Sequence, residues 1–215
     1  MNTVLVANPK GGSGKTTLAV NLAAMLSTQG DNVRLLDLDR QQSAAQWLAQ
    51  RPVHLPTIWP FEPGKPTGTQ TGWLIIDSPA GLHGKTLERA LKLACHVLVP
   101  IVPSAFDMTA SQHFLRSLQQ EKAVRKQRSF VGMVGMRVTP RTRAAQQLET
   151  WLNEQDLPLL TLLQDTQNYV NACFEGKAIF DLPLRTTLRE RAQWQGLADW
   201  LTPQTTSHVH AMEKK

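Results

Sequence analysis

The chain has 215 residues, 41% of them apolar, with a formal charge of +6 and a pI near 9.6. That length and apolar share suffice for one full core, and no uninterrupted apolar run reaches the ~18 residues that a membrane helix needs. Met1 leads almost at once into a strand pattern rather than a charged and apolar leader, so a cytoplasmic protein is expected. Cys95 and Cys173 lie far apart inside apolar runs, which suits buried reduced thiols better than a disulfide or a metal clip.

Short β-branched runs alternate with stretches long enough for helices, the pattern of an α/β fold with a mostly parallel twisted sheet and helices on both faces. In chain order the runs predict strands at 3–7, 33–37, 73–77, 96–102, 130–138 and 159–163. Helices are predicted at 15–28, 43–50, 85–93, 108–122, 143–155 and 187–201, with Gly30 as a stop for the first. The segment 51–72 holds five prolines together with Gly64, Gly68 and Gly72, and reads as a long connection with at most a short strand at 54–58. A single domain over 1–201 is expected, followed by a polar, nonperiodic tail at 202–215 expected to be disordered. Trp47, Trp151, Trp194 and Trp200 fall at apolar helical positions and read as core or interface rather than as base-stacking platforms.

The first strand runs into Asn8-Pro9-Lys10-Gly11-Gly12-Ser13-Gly14-Lys15-Thr16-Thr17, a glycine-rich turn between a buried strand and a helix start. Such a turn curls with its N–H groups inward, where they and the positive helix end hold phosphate oxygens. Lys15 then reaches the outer phosphates as a point charge, and the Thr16 hydroxyl sits on magnesium. The cradle is read as Gly11, Gly12, Ser13, Gly14, Lys15, Thr16 and Thr17. Two later strands end in acids: Leu35-Leu36-Asp37-Leu38-Asp39 and Leu74-Ile75-Ile76-Asp77-Ser78-Pro79-Ala80-Gly81. In doubly wound sheets ligands lie beyond the carboxyl ends of the strands, so these acids should converge on the phosphates, with Asp77 holding magnesium through water.

The general P-loop spacing wants glycine six residues before Lys15, and Pro9 stands there, followed by a second lysine, Lys10. This arrangement resembles the deviant Walker A motif of the ParA/MinD family, P-loop ATPases that position DNA, division machinery or other cargo. The resemblance implies ATP with Mg2+ as cofactors. It also implies a homodimer closed by ATP, in which Lys10 reaches the partner's phosphates. Under it Asp39 positions the attacking water and Asp37 supports Asp39, so Lys10, Lys15, Asp37 and Asp39 form the catalytic set. The family usually has proline after the second acid, where this chain has Arg40. The segments from Val138 to Arg143 and from Gly176 to Pro183 also look like ParA segments, the second placing Pro183 near the nucleotide base. An asparagine often precedes the arginine that is Arg137 here, and this chain has Met136 in that place.

Between Arg116 and Arg143, eight basic residues stand against the single acid Glu121, a local charge of +7 in a chain whose total is +6. The positive field is therefore read as local, which suits a polyanion partner. ParA-like dimers resemble this case by binding nucleoid DNA without sequence preference. The candidate contacts are Arg125, Lys126, Arg128, Arg185, Arg189 and Arg191. No helix-turn-helix pattern precedes the phosphate turn, so operator-specific binding is not expected. The reading is a nucleoid-associated positioning ATPase whose cargo adaptor stimulates hydrolysis. Short ParA-like proteins of this kind serve plasmids, chromosomes, chemoreceptor arrays or compartments such as carboxysomes (the McdA-like branch). A MinD-like membrane switch is the alternative, but the tail lacks an apolar stripe, so no membrane partner is expected. A metabolic enzyme on the same fold is a further alternative, and two isolated cysteines do not support an iron–sulfur version of it.

Overall fold

The computed structural model describes residues 1–64 and 71–202. The expected disorder of the tail, and its missing apolar stripe, concern residues of which all but Thr202 lie outside these.

The strands are β1 (Asn2–Val6), β2 (Val33–Asp37), β3 (Ile58–Pro60), β4 (Trp73–Asp77), β5 (His96–Ile101), β6 (Phe130–Val138) and β7 (Leu159–Gln164). They form one seven-stranded sheet in the order β3-β2-β4-β1-β5-β6-β7, every pair parallel. Strands buried on both faces read as continuous apolar runs, and β4 is buried at all five positions. The helices are α1 (Lys15–Thr28), α2 (Ser43–Ala49), α3 (Gly84–Leu93), α4 (Ala105–Gln120), α5 (Lys122–Arg125), α6 (Arg143–Asn153), α7 (Gln167–Phe174), α8 (Leu184–Gln193) and α9 (Gln195–Leu201).

The two-residue alternation of the strands divides the core between the faces. Val4, Val6 and Ile75 pack with Leu18 and Leu22 of α1, Trp47 of α2, and Leu197 and Leu201 of α9. Leu5, Leu74 and Ile76 pack with Leu87 and Leu91 of α3, Leu115 and Leu118 of α4, and Leu148 and Leu152 of α6. α1 is buried continuously from Leu18 to Ser27, so it carries no polar stripe. It ends as the sequence predicts: Gly30 takes φ +92°, its N–H donates to Ser27 O, and Asp31 N–H donates to Leu26 O. These two bonds are the paired closure of a Schellman motif.

Several expectations are corrected. The short strand in the proline-rich connection is Ile58–Pro60 rather than 54–58, at the sheet edge, where proline's missing N–H costs no ladder bond. The helix expected over 187–201 is two helices that meet at the buried Trp194, whose N–H closes on Arg191 O three residues back. α7 was not expected at all. Cys95 is half-buried and Cys173 exposed, so the expectation of two buried thiols fails. Of the four tryptophans, Trp47 and Trp194 are buried, while Trp151 and Trp200 are half-buried against the core.

Candidate nucleotide-phosphate site

β1 delivers the chain into the turn 8–14 and α1 takes it out, so the turn lies at the carboxyl edge of the sheet. Gly14 sits just before α1 at φ +92°, a backbone conformation that favours glycine, and a Cβ there would lie 2.9 Å from Met136 Cε and displace that side chain. Met136 thus closes on the back of the turn. The turn is also braced from the loop after β4, where Gly81 N–H donates to Pro9 O at 3.0 Å.

Lys15 is only 7% exposed and curls beneath the turn, its Nζ 2.8 Å from Lys10 O, which also accepts from Ser13 Oγ at 3.2 Å. Burial pushes the Lys15 ammonium below its ordinary range, opposed by the charges of Asp77 and Asp39. An ammonium held this way by a carbonyl and two distant carboxylates is poised to exchange them for phosphate oxygens.

The acids divide the labour. Asp77 ends β4, is 1% exposed, and its Oδ2 accepts from Thr16 Oγ1 at 2.7 Å. Burial pushes its carboxyl up to about 7, with the Thr16 hydrogen bond the largest opposing influence. Asp77 Oδ1 and the neighbouring Ser78 Oγ are buried with no hydrogen-bond partner among the described residues. A hydroxyl and a buried carboxylate with an orphaned oxygen, all hard oxygen donors, fit a magnesium ion that keeps part of its water shell.

Asp37 is fully engaged: Oδ1 accepts from Asp39 N–H at 2.9 Å, and Oδ2 accepts from Ala44 and Ala45 N–H at 2.8 and 3.0 Å. It caps α2 from outside the helix and sets the Asp39 loop, a structural form of the support expected of it. Asp39 is half-buried, and its Oδ1 accepts from Gln41 N–H at 3.0 Å. Arg40 is exposed on this loop.

Lys10, the glycines, Ser13, Lys15, Thr16, Thr17, Asp37, Asp39 and Asp77 are therefore gathered at one edge, by β1, β2 and β4, which are neighbours in the sheet. Beside them a cavity of about 560 Å³ opens between α2, α7 and the ends of β6 and β7, lined by Thr17, Trp47, Met136, Arg137, Leu163 and Tyr169 among others. Pro183 is not among its lining residues; it is exposed at the start of α8, its carbonyl accepting from Thr186 and Thr187.

The basic segment is not one patch, which corrects the reading of a single local field. β6 spans its middle and, at about 3.3 Å per residue, separates its two ends by roughly 30 Å. Lys122, Arg125, Lys126 and Arg128 precede β6, at the sheet edge opposite the phosphate turn, whereas Arg137, Arg141 and Arg143 lie at the same edge as that turn. Arg185 and Arg189 are exposed on α8. Arg191 is committed internally, its guanidinium donating to Phe180 O, Leu182 O and Thr187 Oγ1. Sequence reasoning missed the fully buried Asn8, and it missed the pairing of Arg51 with Asp181; only Asn-Pro directly before the lysine offered a signal for the first.

A model of the CobQ/CobB/MinD/ParA nucleotide binding domain matches residues 4–179. The chain is 26% identical over 194 residues to maintenance of carboxysome distribution protein A of Halothiobacillus neapolitanus, covering 85% of this chain and 88% of that protein. It is 30% identical over 186 residues to the chromosome-partitioning ATPase Soj of Thermus thermophilus, covering 69% and 74%. In fold it is similar to a plasmid partition protein of Borrelia burgdorferi solved with AMPPNP, at a TM-score of 0.71 and 17% identity over 93% of this chain and 99% of that one.

Proposed function

Because this chain belongs to the CobQ/CobB/MinD/ParA nucleotide binding domain family and is an ATPase, we propose that it is an ATP-driven positioning protein. In this reading MgATP closes two copies into a dimer across the edge that carries the phosphate turn. The dimer binds duplex DNA without sequence preference, and a cargo adaptor stimulates hydrolysis and release. The relatives' names point to a large cargo: a carboxysome, a chromosome or a plasmid.

The observation that carries the reading is the Thr16–Asp77 pair with its orphaned oxygen, directly under the turn that buries Lys15. Phosphoryl transfer depends on positioning and charge stabilisation, and this edge supplies both. Magnesium bound by Thr16 and Asp77 would offset charge on the outer phosphates. Gly11, Gly12, Ser13 and Gly14 present backbone N–H groups to the phosphates, and Thr17 carries the cradle into α1. Lys15 bears on the phosphates of its own nucleotide, and Lys10 on those of the partner. Asp39, held by Asp37, orients the attacking water. The base occupies the cavity beside Met136 and Arg137.

Among the described residues no helix is long and apolar enough to cross a membrane. DNA contact falls to exposed cations, with Arg185 and Arg189 at the α8 surface and Arg125, Lys126 and Arg128 at the far edge. Arg191 is left out because three of its five N–H donors are engaged with Phe180, Leu182 and Thr187. The test is DNA binding at about 50 mM salt, where phosphate contacts are strongest, with ATP, ADP or no nucleotide. Binding only with MgATP is expected. Equal binding with ATP and ADP, or none with either, would overturn the reading.

A further inference from the structure

In the parallel ladder between β1 and β5, Ala7 N–H donates to Leu98 O at 3.0 Å. Two residues further on, the same ladder calls for residue 9 to donate to Pro100 O, and residue 9 is a proline with no N–H. Asn8 supplies the missing donor from its side chain, with Nδ2 2.7 Å from Pro100 O. Its second N–H donates to Ser111 Oγ of α4 at 3.0 Å, and its Oδ1 accepts from Lys10 N–H at 2.9 Å.

Asn8 and Ser111 are both 0% exposed. Only the NH2 end of the carboxamide can face a carbonyl oxygen, so these bonds allow the side chain a single orientation. Lys10 is fixed at its other end too, since its carbonyl accepts from Lys15 Nζ and Ser13 Oγ. Its side chain therefore starts from a backbone pinned at both N–H and C=O. The Asn-Pro pair is thus one device: proline ends the ladder, and asparagine repairs the end while locating the next residue.

We propose that Asn8 is a positioning residue for the ATPase reaction, acting through Lys10 and tying the seat of that lysine to α4 through Ser111. It does not itself touch phosphate. The proposal rests on the reading of Lys10 as a lysine that reaches phosphate, and a purely structural strand-end role for Asn8 is the competing account.

The two accounts separate in a double-mutant cycle on kcat, KM and MgATP affinity. Lys10→Ala should lower kcat and leave MgATP affinity within about threefold. Asn8→Ala should do the same, by about tenfold in kcat, and should cost nothing further in the Lys10→Ala background, because two residues acting as one unit are not additive. Ser111→Ala cuts only the tie to α4, should lower kcat by about threefold with the same non-additivity, and should be restored by Ser111→Thr. Should Asn8→Ala fail to fold, the Ser111 pair of variants decides alone. Effects that multiply in the double variants, or equal losses in affinity and kcat, would overturn the proposal. Wild-type turnover of Lys10→Ala would instead sink the reading of Lys10 and the proposal with it.

Discussion

The Thr16 hydroxyl donates to Asp77 Oδ2 at 2.7 Å, joining the first turn of α1 to the tip of β4 and leaving Asp77 Oδ1 buried and unpaired. An uncompensated buried carboxylate costs stability unless a cation or a proton relieves it. Asp77→Asn should therefore leave the melting temperature of the nucleotide-free protein unchanged or raised. The magnesium-dependent part of the thermal shift given by ATP should disappear, and turnover should fall by about two orders of magnitude. Thermal melts with ATP, with and without magnesium, check this, and a full magnesium-dependent shift in the variant would refute it.

Asp37 and Asp39 stand two residues apart and should respond differently. Asp37 carries three backbone N–H groups, so Asp37→Ala should cost about 1–2 kcal/mol, near the upper range for a lost cap, and lower the melting temperature by a few degrees. Asp39 carries one, from Gln41, and Asp39→Ala should melt like wild type. It should bind ATP within about threefold and hydrolyse it at least ~100-fold more slowly, which paired binding and turnover assays measure.

The contrast shows what the sequence discloses and what it hides. The phosphate turn and the strand-tip acids were legible because each is a local pattern, an apolar run followed by residues whose chemistry is useful at a strand end. The division between Asp37 and Asp39 was not, because it depends on where α2 begins in space. α7 escaped because Gln167–Phe174 is short and mixed in polarity and its start, at Thr166, makes no side-chain cap. The break at Trp194 is a tertiary event: a buried indole whose Nε1 donates to Tyr169 at 2.9 Å sits where the periodicity runs on without interruption.

Arg51 and Asp181 lie 130 positions apart and form a two-pronged ion pair at 2.7 and 2.9 Å, their side chains 5% and 0% exposed. The pair ties the segment after α2 to the turn at Ile179–Asp181. Removing one partner strands the other charge in the interior, which costs roughly 3–5 kcal/mol, whereas removing both exchanges the pair for packing. Arg51→Met should be strongly destabilising, with Arg51→Met/Asp181→Leu recovering part of the loss in chemical denaturation, the remainder reflecting the Ala178 N–H that Asp181 Oδ2 also accepts at 2.8 Å. A double variant as unstable as the sum of the single ones would contradict this.

His96 begins β5 within a ring of aromatics, its centroid 6.3 Å from Trp73, 6.2 Å from Phe130 and 4.9 Å from Trp200, and its Nδ1 is buried without a partner among the described residues. Burial pushes its pKa below the ordinary value of 6.5. The folded state then binds fewer protons than the unfolded state, so stability is complete above about pH 6.5 and is lost as the pH falls below it. Because protonation of Asp77 works in the opposite direction over the same range, the effect is read as a difference: between pH 7.5 and 5.5 the melting temperature of wild type should fall relative to that of His96→Phe. Identical pH profiles for the two proteins would show that His96 does not contribute.

The division of the basic residues by β6 bears on how DNA binding would follow nucleotide state. Arg185 and Arg189 belong to α8, which is bonded to α7 through Asn168 and to the end of β7 through Gln193, close to the edge that carries the phosphate turn. Lys122, Arg125, Lys126 and Arg128 stand at the opposite edge, about 30 Å away along β6, where the proposed closing of a dimer on the phosphate turn would change little. Replacing Arg185 and Arg189 with glutamine should weaken binding in the ATP state and pull the ATP-to-ADP affinity ratio toward one. Replacing Arg125, Lys126 and Arg128 should lower affinity by similar factors with either nucleotide and leave that ratio intact. Each lost phosphate contact should flatten the slope of log affinity against log salt by about 0.9. Salt titrations of the two variant sets with each nucleotide measure both quantities, and an unchanged ratio after the α8 replacements would move the nucleotide-sensitive contacts elsewhere, with Arg137, Arg141 and Arg143 next in line.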